Sequence, residues 1–303
     1  MSRPGRLHPI AAAALVLAAC QSAESPATQH TTPPPATDRL LFDMQLASGG
    51  PRNIYRVDLD GTNLVQLTTD SADHHEPTMH DSLLMFGSVR EGGIVIASVV
   101  TGSGNMSPSQ VVSGDAPALS PDGTTLAYLS EAGPTPLVWT SHVDGTNAQR
   151  FAPAAAGWTG AIETHPAWSP TGDRIAYVST RSGNPAIYVG ASDGSGGSAT
   201  LLTGSSTGAS VEPAWSPDGS QIVFTSNRDG PTDLYVVTVA TGAVARLTNV
   251  GNTGQPTWLS DGRIVFTQWV AGVAGLVWLD STDPTAINTI PLVGDAQHAT
   301  AYP

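Results

Sequence analysis

At recurring points along this sequence, imidazole and carboxylate side chains stand immediately before a proline. "HHE" (His74, His75, Glu76) precedes Pro77, "ETH" (Glu163, Thr164, His165) precedes Pro166, and "SVE", ending in Glu212, precedes Pro213. Asp115 and Gln255 occupy similar places before Pro117 and Pro256, and alignment of the C-terminus adds His298. Four of the eight histidines are therefore in this set. Neutral imidazole and carboxylate together suit Zn, Mn or Ni. If the segments that carry them surround one axis, His75, Glu76, His165, Glu212 and His298 could hold a divalent metal or an anchored ligand. The plainer alternative is a polar rim that binds only water. Arg90, Arg181 and Arg228, each in a loop after an apolar run, are expected on the same face.

The segments that position these residues repeat. "PAWSPDG" occupies Pro213–Gly219, "PAWSPTG" Pro166–Gly172 and "PALSPDG" Pro117–Gly123. Aligned on Pro77, Pro117, Pro166, Pro213 and Pro256, the units are spaced by 40, 49, 47 and 43 residues. The clearest unit parses into "VEPAWS", a "PDG" turn, "QIVFTS", a loop opened by "NRDG", "DLYVVTV", an "ATG" turn and "AVARLT". Proline presets φ in such a turn and glycine accepts a positive φ. Four strands every ~40–50 residues is the period of a β-propeller blade. The unit at Pro77 is the most degenerate, with Met79 in the tryptophan position and no glycine in its turn. Trp168, Trp215 and Trp258 are expected to fill space between blades, and each opening proline to face a central channel where no hydrogen-bond partner is needed.

The two ends of the repeat region complete each other. Asp38–Thr68 matches strands two, three and four of the template, with "LLF", "NIYRV" and "LVQLT" in place, but lacks a first strand. "QHATAYP" at the C-terminus matches "SVEPAWS". The expected fold is an all-β, six-bladed β-propeller over residues 38–303, its first blade closed by the C-terminal strand.

The N-terminus reads as a targeting segment. Arg3 and Arg6 precede the apolar run Ile10–Ala19, which is too short to span a bilayer stably, and "LAAC" ends at Cys20. This resembles a bacterial lipobox: residues 1–19 would be a lipoprotein signal peptide and Cys20 the lipidated first residue. Gln21 follows, which by the sorting rule of enteric lipoproteins favours the outer membrane. Residues 20–37 add a Pro/Ser/Thr tether without apolar periodicity, expected to stay extended. Cys20 is the only cysteine, so no intrachain disulfide forms.

Composition removes other classes. The net charge is −13 and all 12 basic residues are arginine. Nucleic acid, which needs a basic surface, is not an expected partner. "GSSTG" around Ser206 fits G-x-S-x-G, but it lies between strands in Gly/Ser/Thr sequence rather than on a strand–helix elbow. Asp-Gly pairs such as Asp60-Gly61, Asp144-Gly145 and Asp193-Gly194 lack the alternating oxygen ligands of a calcium loop and read as turns. No catalytic residue is assigned.

The pattern P-x-W-S-P-D-G … I-x-F-x-S-x-R-x-G … L-Y-V … L-T resembles the six-bladed propeller of TolB, the periplasmic component of the Tol–Pal system. The resemblance covers about Asp38 to Pro303. The α/β domain that precedes the propeller in TolB has no counterpart here, where a lipobox and tether stand instead. The resemblance implies a cell-envelope lipoprotein, anchored by lipid alone on the periplasmic side of the outer membrane or at the cell surface. Its propeller would bind an envelope protein, peptide or glycan. The alternative is a metal-dependent, lyase-like propeller enzyme using the His/carboxylate rim.

Overall fold

The computed structural model describes residues 39–302 except 103–107, 131–132, 134, 152–159, 195–198 and 205–207. The signal segment, Cys20, the tether and Ser206 lie outside the described residues.

The described residues form six antiparallel four-stranded sheets around one axis. Blade 1 contains β1 (Arg39–Gln45), β2 (Asn53–Asp58) and β3 (Val65–Gln66). Blade 2 contains β4 (His74–His80), β5 (Leu83–Arg90), β6 (Gly93–Val100) and β7 (Ser109–Ser113). Blade 3 contains β8 (Asp115–Leu119), β9 (Thr125–Ser130), β10 (Leu137–His142) and β11 (Gln149–Arg150). Blade 4 contains β12 (Glu163–Trp168), β13 (Arg174–Ser179), β14 (Ala186–Ala191) and β15 (Thr200–Leu201). Blade 5 contains β16 (Ser210–Trp215), β17 (Gln221–Ser226), β18 (Asp233–Thr238) and β19 (Val244–Arg246). Blade 6 contains β20 (Thr253–Trp258), β21 (Arg263–Val270), β22 (Val273–Asp280) and β23 (Asp283–Thr289).

The last strand, β24 (Asp295–Tyr302), leaves blade 6 and pairs with β1, Arg39 opposite Tyr302 and Gln45 opposite Asp295. It is the innermost strand of blade 1, as the alignment of the termini predicts. No helix among the described residues is long and apolar enough to cross a membrane.

Local chemistry explains the repeat. Gly123, Gly172, Gly219 and Gly262 take φ of +68°, +73°, +70° and +89° in the turns after the first strands. In blade 2, where the turn has no glycine, Asp81 takes the left-handed conformation at φ 50°; aspartate tolerates this better than most residues. The second strands are buried on both faces, which is why they read as continuous apolar runs such as "QIVFTS". Packing crosses the blade junctions. Ala176, Ile187 and Val189 of blade 4 share one cluster with Trp215, Ile222, Phe224 and Tyr235 of blade 5. The tryptophans stitch neighbours together: Trp168 Nε1 donates to the Ala118 carbonyl (3.0 Å) and Trp215 Nε1 to the Ala167 carbonyl (3.1 Å).

Candidate binding site at the channel mouth

Each first strand carries a register shift one or two residues along: at His75/Thr78, Asp115/Ala118, Thr164/Ala167, Val211/Ala214, Gly254/Thr257, and opposite Leu41/Asp43 in β24. The residue at the bulge is left-handed in all six blades: Glu76 (φ 51°), Ala116 (48°), His165 (49°), Glu212 (56°), Gln255 (55°) and His298 (49°). None is glycine, so each stores on the order of 1–2 kcal/mol of backbone strain. This conformation was not read from the sequence. Its trace is there: Val and Thr abound nearby, yet none of the six residues is β-branched, the class for which positive φ is worst.

These six residues, with the prolines that follow five of them, line one cavity of about 170 Å³ at the start of the first strands. A larger cavity of about 700 Å³ continues along the same prolines toward Trp168, Trp215 and Trp258. Glu76, His165, Glu212 and His298 of the expected set are therefore brought together. His75 is not part of this lining. Successive strand residues point to opposite sides, and its Nε2 lies 2.8 Å from Asp115 Oδ1 at the junction of blades 2 and 3.

A belt of hydrogen bonds joins four of the six ring residues. Glu212 Oε2 accepts from the Gln255 backbone N–H (2.7 Å) and from Thr225 Oγ1 (2.7 Å). Gln255 Oε1 accepts from the His298 N–H (3.2 Å) and Thr267 Oγ1 (2.8 Å), and its Nε2 lies 2.6 Å from His298 Nε2. His298 Nδ1 lies 2.8 Å from Asp43 Oδ1, which also accepts from the Glu76 N–H at 3.2 Å. At Gln255, His298 and Glu76 the bulge turns an N–H toward the preceding blade, and a side chain there receives it. The belt runs from Glu212 through Gln255, His298 and Asp43 to Glu76. It stops at Ala116, whose side chain has no polar atom and whose N–H is taken by Asp115 Oδ1 (2.8 Å). Among the described residues, the hydrogen-bond contact of His165 Nδ1 is its neighbour Thr164 Oγ1 (2.8 Å).

Asp43 is the residue that a search keyed on prolines misses. It is fully buried and its second oxygen accepts from Arg52 Nη1 at 2.6 Å. The signal was a lone charge inside the apolar run "LLFDM".

Burial and charge set the protonation of the site. Burial pushes the Glu76 carboxyl up, against the pull of His298 and His165. Burial works against protonating His298, but Asp43, Glu76 and Glu212 outweigh it and hold its pKa above the ordinary value. The contacts described are those of the neutral Nδ1–H tautomer; protonation requires the Gln255 amide to turn over so that its oxygen meets Nε2. His75 is likewise held up, Asp115 overcoming burial, and Asp115 is in turn held down by His75.

The neighbouring arginines serve the scaffold. Arg181 Nη2 donates to Glu163 Oε1 (2.9 Å) and to the Tyr177 hydroxyl, and its guanidinium lies over the Tyr188 ring at 4.5 Å. Burial pushes the Tyr177 hydroxyl up to about 12. Arg90 Nη2 lies 3.3 Å from Asp70 Oδ2. Arg228 Nη2 donates to Ser210 Oγ at 2.8 Å. Among the described residues, no group of three or more His, Asp and Glu side chains is placed to hold a metal ion.

The sequence profile of the TolB beta propeller domain matches residues 116–285. The chain belongs to this TolB propeller family. No curated protein sequence matches it. Among solved structures it is similar to TolB from Acinetobacter baumannii, with a TM-score of 0.73 and 16% identity over 87% of this chain and 66% of that one. The chain thus spans about two thirds of that TolB. It is also similar to a TolB-type protein from Agrobacterium tumefaciens, with a TM-score of 0.68 and 19% identity over 88% of this chain and 99% of that one. An oligogalacturonate lyase in complex with manganese gives a TM-score of 0.51 and 19% identity over 84% of this chain and 86% of that one. At these identities the likeness is one of fold.

Proposed function

We propose that this chain is a lipid-anchored cell-envelope protein whose TolB-type propeller docks an envelope protein, peptide or glycan at the channel mouth. One observation carries the reading. The belt is closed on one side of the ring and open on the other, so Glu76 and His165, both lining the cavity, flank a gap at Ala116. A cavity of about 170 Å³ is small for a whole ligand but receives a side chain or a sugar substituent from a partner resting on the rim. The acidic chain, at −13, favours partners with a basic or neutral face.

The test is a capture from envelope extract, with the parent and a Glu76→Gln/His165→Ala variant as baits. The parent should retain a partner that the variant loses, with the melting temperature unchanged. Equal capture by both removes the mouth from the account. The anchor is tested separately, by labelling with radioactive palmitate: the parent should incorporate label and Cys20→Ala should not, and equal incorporation rejects lipidation.

A second reading, the metal-dependent lyase-like enzyme, draws on the same four ring residues and on the fold likeness to the manganese-bound lyase. Its cost is visible in the hydrogen bonds: both nitrogens of His298 and one oxygen of Glu212 already have partners. Calorimetric titration of metal-stripped protein with Zn and Mn separates the two readings. Heat that disappears in His165→Ala and His298→Ala supports the enzyme; none above buffer supports the binding module.

A further inference from the structure

At the far end of the first strands, away from the ring, the junction of blades 4 and 5 holds a small assembly. In blade 4 the Arg174 guanidinium lies 4.7 Å over the ring of Trp215 from blade 5. Its Nε is 3.6 Å from Asp173 Oδ1, and that carboxylate is fixed by Ser169 Oγ at 2.9 Å. Blade 6 repeats the chemistry within itself: Arg263 lies 5.1 Å over Trp278 and its Nε donates to Asp261 Oδ2 at 2.6 Å. Indole, carboxylate and guanidinium form one unit in both places.

The junction of blades 3 and 4 has two of the three parts. Trp168 occupies the place of Trp215. Asp122 sits in the turn two residues before the place of Asp173, which is Thr124 here, and is held by Ser120 Oγ at 2.6 Å as Asp173 is held by Ser169. The position of Arg174, immediately before the apolar run of the second strand, is Thr125. Among the described residues no cation lies over the Trp168 ring. Trp168 is partly exposed, whereas Trp215 is only 7% exposed. Beside Thr125 lies a groove of about 890 Å³, lined by Thr125 and Trp168 and walled by Asp122, Asp193, His142 and Asn147. None of its described lining residues is an arginine.

We infer that this groove is a second binding site, which takes an arginine side chain from a basic peptide segment of a partner. The guanidinium would stand over Trp168 and against Asp122, as Arg174 stands over Trp215 and against Asp173. An indole face beside a carboxylate suits a planar delocalised cation better than a compact ammonium. The net charge of −13 draws basic segments to the surface, and Asp193 adds a second carboxylate to the wall. The site shares no residue with the ring at the channel mouth, and Trp168 also borders the larger cavity of the channel.

The experiment is calorimetry on the purified chain at physiological salt, with acetyl-Gly-Arg-Gly-amide and the same tripeptide carrying citrulline, the uncharged isostere. The arginine peptide should bind with a stoichiometry of one and the citrulline peptide at least tenfold more weakly. Thr125→Arg supplies the missing guanidinium from the chain itself. It should weaken the arginine peptide at least tenfold while leaving the melting temperature unchanged or raised. Arg174→Thr should expose Trp215 and raise the stoichiometry to two. Equal binding of arginine and citrulline peptides overturns the inference, as does parent-like binding by Thr125→Arg or a stoichiometry of one in Arg174→Thr. Binding of a neutral tetrasaccharide that Thr125→Arg abolishes, with no heat from the arginine peptide, overturns it in favour of a glycan groove.

Discussion

The two ends of the first strands follow one repeat and differ in what the repeat fixes. At the turn end the residues themselves recur: Ser-Pro-x-Gly stands in blades 3, 4 and 5, preceded by Trp in blades 4 and 5, and serves packing, a proline φ and a glycine φ. At the mouth only the backbone is copied. All six blades place a left-handed residue there, but the side chains are Glu, Ala, His, Glu, Gln and His. Identical sequence therefore marks scaffold, and identical backbone with varied side chains marks the surface where this propeller can differ from its relatives.

That contrast is bounded first by removing a strand that runs through both ends, where the effect should be largest. Removing His298–Pro303 takes away most of the strand that pairs with β1 and should abolish cooperative unfolding of the whole propeller, read by calorimetric melting. A deletion that melts like the parent would mean that the six blades do not depend on closure. Next, Trp215→Ala empties a junction cluster and should cost about 3–5 kcal/mol in denaturant unfolding. At the mouth the costs are smaller. Glu212→Ala leaves the Gln255 N–H without its acceptor and should cost about 1–3 kcal/mol, whereas Ala116→Gly should stabilise by up to about 1 kcal/mol through relief of left-handed strain. If Ala116→Gly destabilises instead, the conformation at the bulge is not strained.

The smallest effect is a pH dependence. His75 has a folded pKa held above its unfolded one by Asp115, so its contribution is fully present below about pH 6.5 and is lost as pH rises through the folded value. Between pH 6 and 8 the parent should lose more stability than His75→Gln. A parallel pair of curves would detach that histidine from the pH response.

Much of this fold is legible in the sequence because its turns need particular residues. Pro217-Asp218-Gly219 marks a turn without help from the rest of the chain, and Ser216 and Ser220 hydroxyls bind the Asp218 carboxylate, holding it down to about 2. The split first blade followed from the same logic applied to both termini. The mouth was half legible. Alignment on proline finds Glu76, His165, Glu212 and His298 but also collects His75, because a one-residue step along a strand reverses the facing of a side chain. Asp43 shows in the sequence only as a lone charge in an apolar run, and the belt could not be read, since it depends on which second-strand residue lies beside which bulge. The groove at Trp168 is visible only once Thr125 is compared with Arg174 in space.

The pairing of β24 with β1 also sets a schedule. His298 and Asp43, which touch at 2.8 Å, are 255 residues apart in the chain. During synthesis, blade 1 emerges first and must wait for the last segment before its inner edge is covered. Until then β1 presents a row of unpaired N–H and C=O groups, a template for pairing with another chain. Closing so distant a contact is slow, because the entropy of the intervening loop is lost before the pairing is gained. The ring is thus most vulnerable to aggregation just before it is finished, with five blades folded and the sixth still open.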